Sequence, residues 1–569
     1  MKEAEKSSGS PVVANLDRRK KFKYALIAEG TLIGFITGAL ISVFRLMLTG
    51  ADRLRGMLAG HVQDGGAPAV LLCILILIVT AVVVSWLLGR EPDIAGSGIP
   101  QVEAELRGQK DMCWWRVIVC KMAGCALAIG GGLALGREGP SIQLGSMVGK
   151  GVARAGHRLL TEERLLITCG AGAGLSAAFG APLAGAIFSL EELHRNFSAE
   201  VLLTTMAASA AGDFVAANIL GLEPVFAIDA EHGLPLRYYW AVILLGLGLG
   251  LFGVLYNRTI AFMQDIFGHI GKRFALLVKR MPGNRHSIIR DGFHPSVTEE
   301  RFDRTGRMLT AFALAGVLFF AYPDALGSGS ALVGAVGHGE FALGGLAVLL
   351  LIKFVFSTAS FGSGSPGGIF LPLLVLGAVT GGLFCRLLGL AGMDQKYITA
   401  FVIIAMAGYF AAIVRAPVTG VVLITEMTGD FNTLLPLVLV SLISYLTAES
   451  LGAKPIYTQL LERSLGSSPA GRAAKGHRAA LRDRKTVIDA EVDVGSRMDG
   501  RNVADFGLPL GTLIVSVVRE GIEIIPDGHT ILRAGDELEI LTRENDLADV
   551  ESIIDSACRV VEKVPEKDG

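Results

Sequence analysis

Charged residues are scarce in this sequence. Asp, Glu, Lys and Arg make up 18% of the 569 residues, apolar residues make up 51%, and the mean hydropathy is +0.52. Soluble globular chains carry about 25% charged residues, so a single large water-soluble domain is excluded. The formal net charge of −1 offers no attraction to a polyanion, and we expect no nucleic-acid partner.

Motifs of metal and covalent chemistry are also missing. The seven cysteines form no C-x-x-C pair and lie mostly in apolar runs, so we interpret them as packing thiols. None of the ten histidines lies centrally in a long apolar run, which disfavours an intramembrane enzyme. No T-V-G-Y-G-like filter occurs, which disfavours a potassium channel. We predict no enzyme activity, no metal and no cofactor.

Long uncharged runs are present and fit membrane spans of about 20 residues. The clearest are 65–89, 238–257, 397–414 and 431–448. The polar N-terminal segment shows no small-residue cleavage site, so we expect no signal peptide to be removed. The sequence predicts an all-α polytopic protein of the lipid bilayer.

Basic residues cluster in three segments, 18–23, 272–307 and 472–485. Cytoplasmic loops carry an excess of Lys and Arg, so we expect all three on the cytoplasmic side, together with both termini. The expected location is a cell (plasma) membrane, and by analogy with other membrane proteins the compactness of the chain favours a bacterial one.

The apolar run 354–385 is interrupted by Ser, Gly and Pro residues over 357–368. These residue types unwind helices, so the run is expected to contain a loop at membrane depth. Irregular backbone is tolerated there only when it is buried in protein or lines a polar cavity. The segment is therefore a candidate permeation site.

Two motifs recur in order along the chain. Ala181–Glu191 and Ala416–Glu426 share Ala-Pro, Gly and Glu at a constant offset of 235 residues, and Gly136–Pro140 matches Gly368–Pro372 at nearly the same offset. Chance similarity between Ala- and Gly-rich helices explains either pair alone, but two pairs in order favour two related halves.

The helix starts in these motifs predict an anion site. A helix that begins inside the membrane points unpaired N–H groups and its positive dipole end into the protein. Gly96–Pro100 is a further start, where the Ser97 hydroxyl either caps its own helix or donates to an anion. Such groups bind an anion without a full buried cation, so the ion can also leave.

These motifs resemble the signature set of the CLC chloride channel and transporter family. The resemblance covers Gly96–Pro100, Gly136–Pro140, Gly368–Pro372 and Tyr457, in the family's order within residues 24–464. It implies a homodimer in which each subunit has its own pathway, formed by two inverted repeats of broken helices. It also implies the function, which is antiport of chloride ions and protons.

The resemblance implies five anion-binding residues, Ser97, Gly139, Ile369, Phe370 and Tyr457. The hydroxyls of Ser97 and Tyr457 and backbone N–H groups near Ile369 and Phe370 would contact chloride. Simpler alternatives are an N-cap role for Ser97, packing for Phe370 and an interfacial position for Tyr457. In the family that these motifs resemble, the residue type at this position tracks the anion, and serine at position 97 resembles the chloride pattern rather than that for nitrate or fluoride.

Glu138 and Glu192 are the predicted gating and proton-transfer residues. A carboxylate at an apolar helix start is costly at membrane depth, although it also complements the helix dipole. Glu138 would compete with chloride, and its protonation would free the site. Glu192 resembles the inner proton acceptor of exchangers, and its alternative is an ion pair with Arg195. The second hypothesis is a passive voltage- or ligand-gated chloride channel.

Five other charged residues lie in or beside apolar stretches. We interpret Glu191 and Glu426 as structural because they occupy matching repeat positions. We assign no role to Lys121, Lys353 and Arg415, which suit either the pathway field or ion pairs with these acids.

A small domain follows a polar segment at the C-terminal end. Alternating apolar residues from Ile488 to Val494 and apolar runs at 512–518 and 522–525 predict an α+β fold. The segments Asp505–Pro509, Ile525–Gly528 and Ala534–Leu541 resemble TrkA-C (RCK-C) domains. The resemblance implies either sensing of an unknown small ligand or a dimerisation clamp.

The expected domain organisation therefore has five parts: a cytoplasmic N-terminal tail 1–23, a CLC-type transmembrane domain 24–464, a linker 465–484, a TrkA-C-like regulatory domain 485–562 and a tail 563–569.

Overall fold

The computed structural model divides into two compact units, one ending at Leu461 and one beginning at Glu462. The structure describes residues 11–64, 66–158, 160–194, 199–222, 224–226, 228, 233–280, 295–467, 485–509, 511–519, 522–543 and 547–558. Most of the predicted linker 465–484, much of the basic segment 272–307 and Arg195 lie outside these residues.

The first unit is helical, apart from one isolated β-bridge, in the ranges described. Its helices are α1 (Pro11–Asp64), α2 (Gly66–Arg90), α3 (Ile99–Leu106), α4 (Trp114–Gly130), α5 (Glu138–Ala155), α6 (Leu160–Phe179), α7 (Pro182–Phe188), α8 (Ala199–Leu220), α9 (Tyr239–Arg280), α10 (Pro295–Ala321), α11 (Ser330–Gly337), α12 (Leu343–Gly362), α13 (Phe370–Leu390), α14 (Ile398–Val414), α15 (Pro417–Thr428), α16 (Leu434–Ser450) and α17 (Ile456–Ser467). A π-helical turn, Ser189–His194, follows α7.

Eight helical stretches among the described residues are long and apolar enough to cross a membrane. They are Tyr24–Gly60, Gly66–Arg90, Val201–Leu220, Leu236–Lys279, Glu299–Ala321, Leu343–Gly362, Phe370–Leu390 and Gln395–Val414. All four predicted spans coincide with helices, and the prediction of an all-α polytopic protein is confirmed. Helix α9 continues beyond the predicted 257 because Arg258 and later polar residues end the apolar run without disfavouring a helix.

Helix α14 lies at the centre of this unit, with nearly all of its side chains buried. It packs against α9, α13, α15 and α16. Small residues permit this close packing. At Gly381 of α13 the backbone approaches the Phe401 carbonyl so closely that a Cβ would have no room.

The break between α12 and α13 is the predicted loop in the run 354–385. It is shorter than the Ser- and Gly-rich segment 357–368, because α12 continues to Gly362. The hydroxyls of Ser357 and Thr358 donate to the Phe354 carbonyl at 3.3 and 2.9 Å, which accommodates them within the helix. The chain leaves the helix before Gly364, whose φ of 80° disfavours residues with a Cβ.

The second unit contains a four-stranded antiparallel sheet in the order β1-β4-β2-β3. Its elements are β1 (Lys485–Glu491), β2 (Leu513–Arg519), β3 (Ile522–Ile524), β4 (Glu537–Arg543) and α18 (Leu547–Cys558). Buried Ile514, Ile540 and Val550 are part of one core between the sheet and α18. The predicted α+β fold is confirmed, while residues 520–521, between the two predicted apolar runs, fall outside the described residues.

Candidate functional site

The matching motifs of the two halves meet at Gly136 and Gly368. These residues form an antiparallel bridge, in which each N–H donates to the other's carbonyl at 2.7 Å. Local chain directions are opposite at the bridge, as inverted halves require. Helices α5 and α13 therefore begin side by side, and their unpaired N–H groups lie in one buried region.

Glu138, the first residue of α5, is fully buried at this junction. Backbone N–H groups of Arg137, Glu138 and Leu371 face its carboxylate. The Leu371 N–H donates to Oε2 at 3.3 Å, whereas Oε1 has no hydrogen-bond partner among the residues described. The carboxylate of one half thus occupies the anion position at the start of a helix from the other half.

Ser97 lies in the turn that precedes α3. Gly96 and Gly98 on either side have φ of 61° and 96°, values that favour glycine, and they allow the chain to turn sharply into the helix. Ser97 is buried, and its Oγ has no hydrogen-bond partner within the described part of the chain. The N-cap alternative is wrong, because the cap position belongs to Gly98 and no side chain caps α3.

Gly139 connects these motifs. A Cβ at Gly139 would lie 2.7 Å from the Ser97 carbonyl oxygen, and a Cβ at Gly368 would lie 3.2 Å from the Gly139 nitrogen. The absence of side chains therefore allows the turn at Ser97, the start of α5 and the lead-in to α13 to approach one another. Three of the predicted motifs share one small buried volume.

Ile369 and Phe370 lie at the start of α13 and are buried. The Phe370 ring packs against Phe410, Phe179 and Phe188, with centroid distances of 4.7, 5.5 and 6.3 Å. The side chain of Phe370 is therefore a packing element, which fixes the backbone N–H groups of the helix start. A packing role for the Phe370 side chain and a chloride contact through the Phe370 backbone N–H are therefore both compatible with the geometry.

Tyr457 is the second residue of α17 and is fully buried rather than interfacial. Its hydroxyl has no hydrogen-bond partner among the residues that the structure describes. The carboxyl groups of Glu138 and Glu192 both lie within electrostatic range of it. Tyr457 is thus close enough to both predicted proton-transfer residues to interact with them electrostatically.

Glu192 lies in the π-helical turn after α7 and is almost completely buried, with 5% of its surface exposed. A π-turn inserts one residue per turn relative to an α-helix and changes the direction of its side chains. Its neighbour Glu191 instead points to the start of α15. The side chains of Glu191 and Glu192 therefore point in different directions, although the two residues are adjacent in sequence.

Two lysines that the sequence left unassigned fix the turns of the two halves. Lys121 Nζ donates to the carbonyls of Ile94 and Gly96 at 2.9 and 2.8 Å. Lys353 Nζ donates to the carbonyls of Ala325 and Gly327 at 2.8 and 2.9 Å. Lys121 thereby holds the turn that carries Ser97.

The two turns that these lysines hold have a repeated sequence pattern. Pro92–Gly98 and Pro323–Gly329 share the pattern Pro-Asp-x-x-Gly-Ser-Gly at an offset of 231 residues. This third repeat pair was absent from the sequence predictions, although its pattern was available. Arg415, the third unassigned cation, donates to the carbonyls of Tyr445 and Ala453 at 2.8 and 3.0 Å.

Neither a cluster of metal-ligand side chains nor a disulfide is found among the described residues. Among the described residues no group of three His, Cys, Asp or Glu side chains could hold a metal ion. All seven cysteines are free thiols. The site contains hydroxyls, backbone N–H groups and carboxylates, and the Arg137 guanidinium lies within electrostatic range of Glu138. These groups suit binding of an anion and transfer of a proton.

The sequence matches two protein-family models and resembles known transporters. Residues 80–283 and 290–449 match the model of the voltage gated chloride channel family, and residues 487–555 match the TrkA-C domain. The H(+)/Cl(-) exchange transporter ClcA of Citrobacter koseri is 31% identical over 484 residues, which cover 82% of this chain and 94% of that protein. The ClcA of Vibrio cholerae is 36% identical over 384 residues, covering 66% of this chain and 75% of that protein.

Solved structures show the same fold. A slow cyanobacterial Cl-/H+ antiporter superposes with a TM-score of 0.68 at 29% identity, covering 78% of this chain and 98% of that one. A CLC-type fluoride/proton antiporter superposes with a TM-score of 0.59 at 22% identity, covering 76% and 97%. The second likeness concerns the fold alone.

Proposed function

The chain belongs to the voltage gated chloride channel (CLC) family and carries a TrkA-C domain, and we propose from this that it exchanges chloride for protons across a membrane. Similarity to curated H(+)/Cl(-) exchange transporters along 94% of their length supports the proposal. No covalent catalysis is involved, and chloride and protons are the substrates.

The observation that carries the proposal is the position of Glu138. Its carboxylate accepts the Leu371 N–H at the start of α13, where an unpaired helix N-terminus would otherwise bind an anion. Carboxylate and chloride cannot both occupy this position. Protonation removes the negative charge of Glu138, so that chloride entry and proton binding become alternating states of one site.

The remaining site residues have complementary roles in this scheme. Ser97 Oγ and Tyr457 Oη are buried hydroxyls that are free to donate to chloride, and N–H groups around Gly139, Ile369 and Phe370 add further donors. Glu192 is buried and within electrostatic range of Tyr457, and it would carry the proton to and from the cytoplasmic side. The alternative, a passive chloride channel, needs the anion donors but gives Glu192 no function.

Proton movement into liposomes tests this function. With the full chain reconstituted, an imposed chloride gradient and no initial pH gradient, we expect protons to be driven uphill. Glu138→Gln and Glu192→Gln should each abolish proton movement, and chloride should still move in Glu192→Gln. Glu340→Gln, at an exposed carboxylate, is the matched control and should behave as wild type.

One result would contradict antiport, and another would contradict only the role of Glu192. Chloride flux without any proton movement in the wild-type protein would identify a channel. Unchanged proton pumping in Glu192→Gln would remove that residue from the pathway while leaving the exchange intact.

The proposed setting is a bacterial plasma membrane, with a homodimer whose N- and C-termini face the cytoplasm. Curated relatives from bacteria and the family's architecture support this setting. Mass determination of the detergent-solubilised chain tests the dimer. Labelling of a cysteine introduced at an exposed residue of the C-terminal unit, in intact cells and in inverted vesicles, tests the orientation.

The C-terminal unit is proposed to regulate transport, either by binding a small ligand or by clamping two subunits together. Its match to the TrkA-C family supports a regulatory role. Deletion of residues after Ser467 should leave chloride-driven proton pumping measurable if this unit is regulatory rather than part of the pathway.

A further inference from the structure

Three buried tyrosine hydroxyls in the first unit lack hydrogen-bond partners among the residues that the structure describes. Tyr256 on α9, Tyr409 on α14 and Tyr457 on α17 are each fully buried. Within the described ranges, none of their hydroxyls has a hydrogen-bond partner. Buried hydroxyls normally find partners because an unmade hydrogen bond costs free energy. Three such groups in one region indicate a shared role.

The three tyrosines form a row with Tyr256 in the middle. The rings of Tyr256 and Tyr409 lie 6.0 Å apart at an angle of 65°. Tyr256 is also within electrostatic range of Tyr457. The row therefore connects the proposed chloride ligand on α17 with Tyr256 on α9 and Tyr409 on α14.

Aromatic packing fixes the rings of this row. Phe354 lies 5.8 Å from the Tyr256 ring, and Phe252 stacks on Tyr409 at 5.1 Å. With the rings held, rotation of each O–H bond is the freedom that remains. Ser357 lies near Tyr256 without hydrogen-bond geometry between them, and its own hydroxyl donates to the Phe354 carbonyl.

The backbone next to Tyr256 is tied to the segment that enters α17. Asn257 Nδ2 donates to the Lys454 carbonyl at 3.3 Å, and Gln459 Nε2 donates to the Asn257 carbonyl at 3.4 Å. The neighbour of Tyr256 in sequence thus contacts the chain on both sides of Tyr457. The separation between these two tyrosines is fixed by the fold.

We infer that Tyr256, backed by Tyr409, is a positioning residue that directs the Tyr457 hydroxyl toward the transported anion through bridging water. This inference rests on the proposed chloride-binding role of Tyr457. A hydroxyl that donates to chloride is a stronger donor when its oxygen accepts a hydrogen bond from behind. A water between Tyr256 and Tyr457 supplies that bond, and Tyr409 supports Tyr256 in the same way.

Chloride titration of the purified full-length protein by calorimetry tests the inference. Tyr256→Phe keeps the ring packing and removes the hydroxyl, and we expect it to weaken chloride binding roughly three- to tenfold, the equivalent of one neutral hydrogen bond. Tyr409→Phe should weaken binding less, because it acts one step further away. Tyr397→Phe, a tyrosine outside the row, is the control and should bind as wild type.

A double-mutant cycle separates positioning from a structural effect. If Tyr256 acts through Tyr457, Tyr256→Phe should cause no further loss of chloride affinity in a Tyr457→Phe background. An equal loss in both backgrounds would overturn the inference, and so would unchanged affinity in Tyr256→Phe. Elution as a single species at the wild-type volume verifies that each variant is folded.

Failure of this inference is distinguishable from failure of the proposed antiport. Chloride binding is measured without transport, whereas antiport is decided by proton pumping of the wild-type protein in liposomes. Proton pumping by the wild-type protein would support antiport. If the losses of chloride affinity caused by Tyr256→Phe and Tyr457→Phe were then additive, antiport would be retained and the positioning role of Tyr256 rejected.

Discussion

Glu191 and Glu426 each cap the first turn of the helix that leads to the other. Glu191 accepts the N–H of Thr419 at 2.8 Å at the start of α15, which carries Glu426. Glu426 accepts the N–H of Ala184 at 2.8 Å at the start of α7, which leads to Glu191. The two halves are thus joined by reciprocal carboxylate caps, and the structural interpretation of both residues agrees with these contacts.

Removal of one cap charge should destabilise this junction. Glu426→Gln retains the size of the side chain and loses charge-assisted hydrogen bonds to Leu183 and Ala184. Hydrogen bonds to charged groups contribute about 1.5–3 kcal/mol, so we expect a loss of about 2 kcal/mol and a lower melting temperature in detergent. Glu340→Gln is the control at an exposed carboxylate. Equal melting temperatures of Glu426→Gln and wild type would contradict the capping role.

The paired lysines Lys121 and Lys353 should differ in function despite their similar contacts. Lys121→Met frees the turn that carries Ser97, so we expect both a lower melting temperature and chloride binding weakened at least tenfold. Lys353→Met frees the turn of the second half, so we expect a comparable loss of stability with chloride affinity retained. Calorimetric titration and thermal unfolding of the same samples separate these effects. Equal loss of chloride affinity in both variants would show that the effect on binding is general destabilisation.

The hydroxyl of Ser97 should contribute directly to anion binding. Ser97→Ala removes a buried donor without a protein partner among the described residues, so stability should change little. One lost neutral hydrogen bond corresponds to chloride binding that is weaker by roughly three- to tenfold. Ser328→Ala, at the equivalent position of the second half, should bind chloride as wild type. If the two alanine variants bind chloride equally, Ser97 is not a ligand.

Much of this architecture was predictable because it depends on patterns that the chain itself displays. Gly136–Pro140 and Gly368–Pro372 were recognisable as matching helix starts, and the structure brings them together. The Lys121 contacts were not predictable in the same way, because their partners are backbone carbonyls, which leave no residue signature. The helical state of Ser357 was missed for a related reason, since its hydroxyl bonds within its own helix. The row of tyrosines depends on tertiary packing of three distant helices.

The stability of the C-terminal unit should depend on pH through Asp536. Arg519 binds this buried carboxylate with two hydrogen bonds of 2.7 Å, and the Arg533 N–H donates at 2.8 Å. Burial alone raises the pKa of Asp536, but these donors outweigh it and hold the pKa below its ordinary value. A lowered folded-state pKa stabilises the fold above the unfolded value of about 4 and ceases to do so as pH falls through the folded pKa.

Hydrogen exchange of the full chain measures this dependence at β4. Below about pH 4 we expect wild-type β4 to lose protection progressively as pH falls toward the lowered folded-state pKa of Asp536, because acid removes the stabilisation that its ion pair with Arg519 provides. Asp536→Asn should already be less protected at pH 5, because its amide cannot form the ion pair, and should change less on acidification. Comparing proteins at the same pH cancels the intrinsic exchange rates.

Asp505→Asn, at an exposed carboxylate, should follow wild type. If Asp536→Asn loses as much protection as wild type on acidification, another group governs acid sensitivity, and the Asp536–Arg519 pair is only a packing contact.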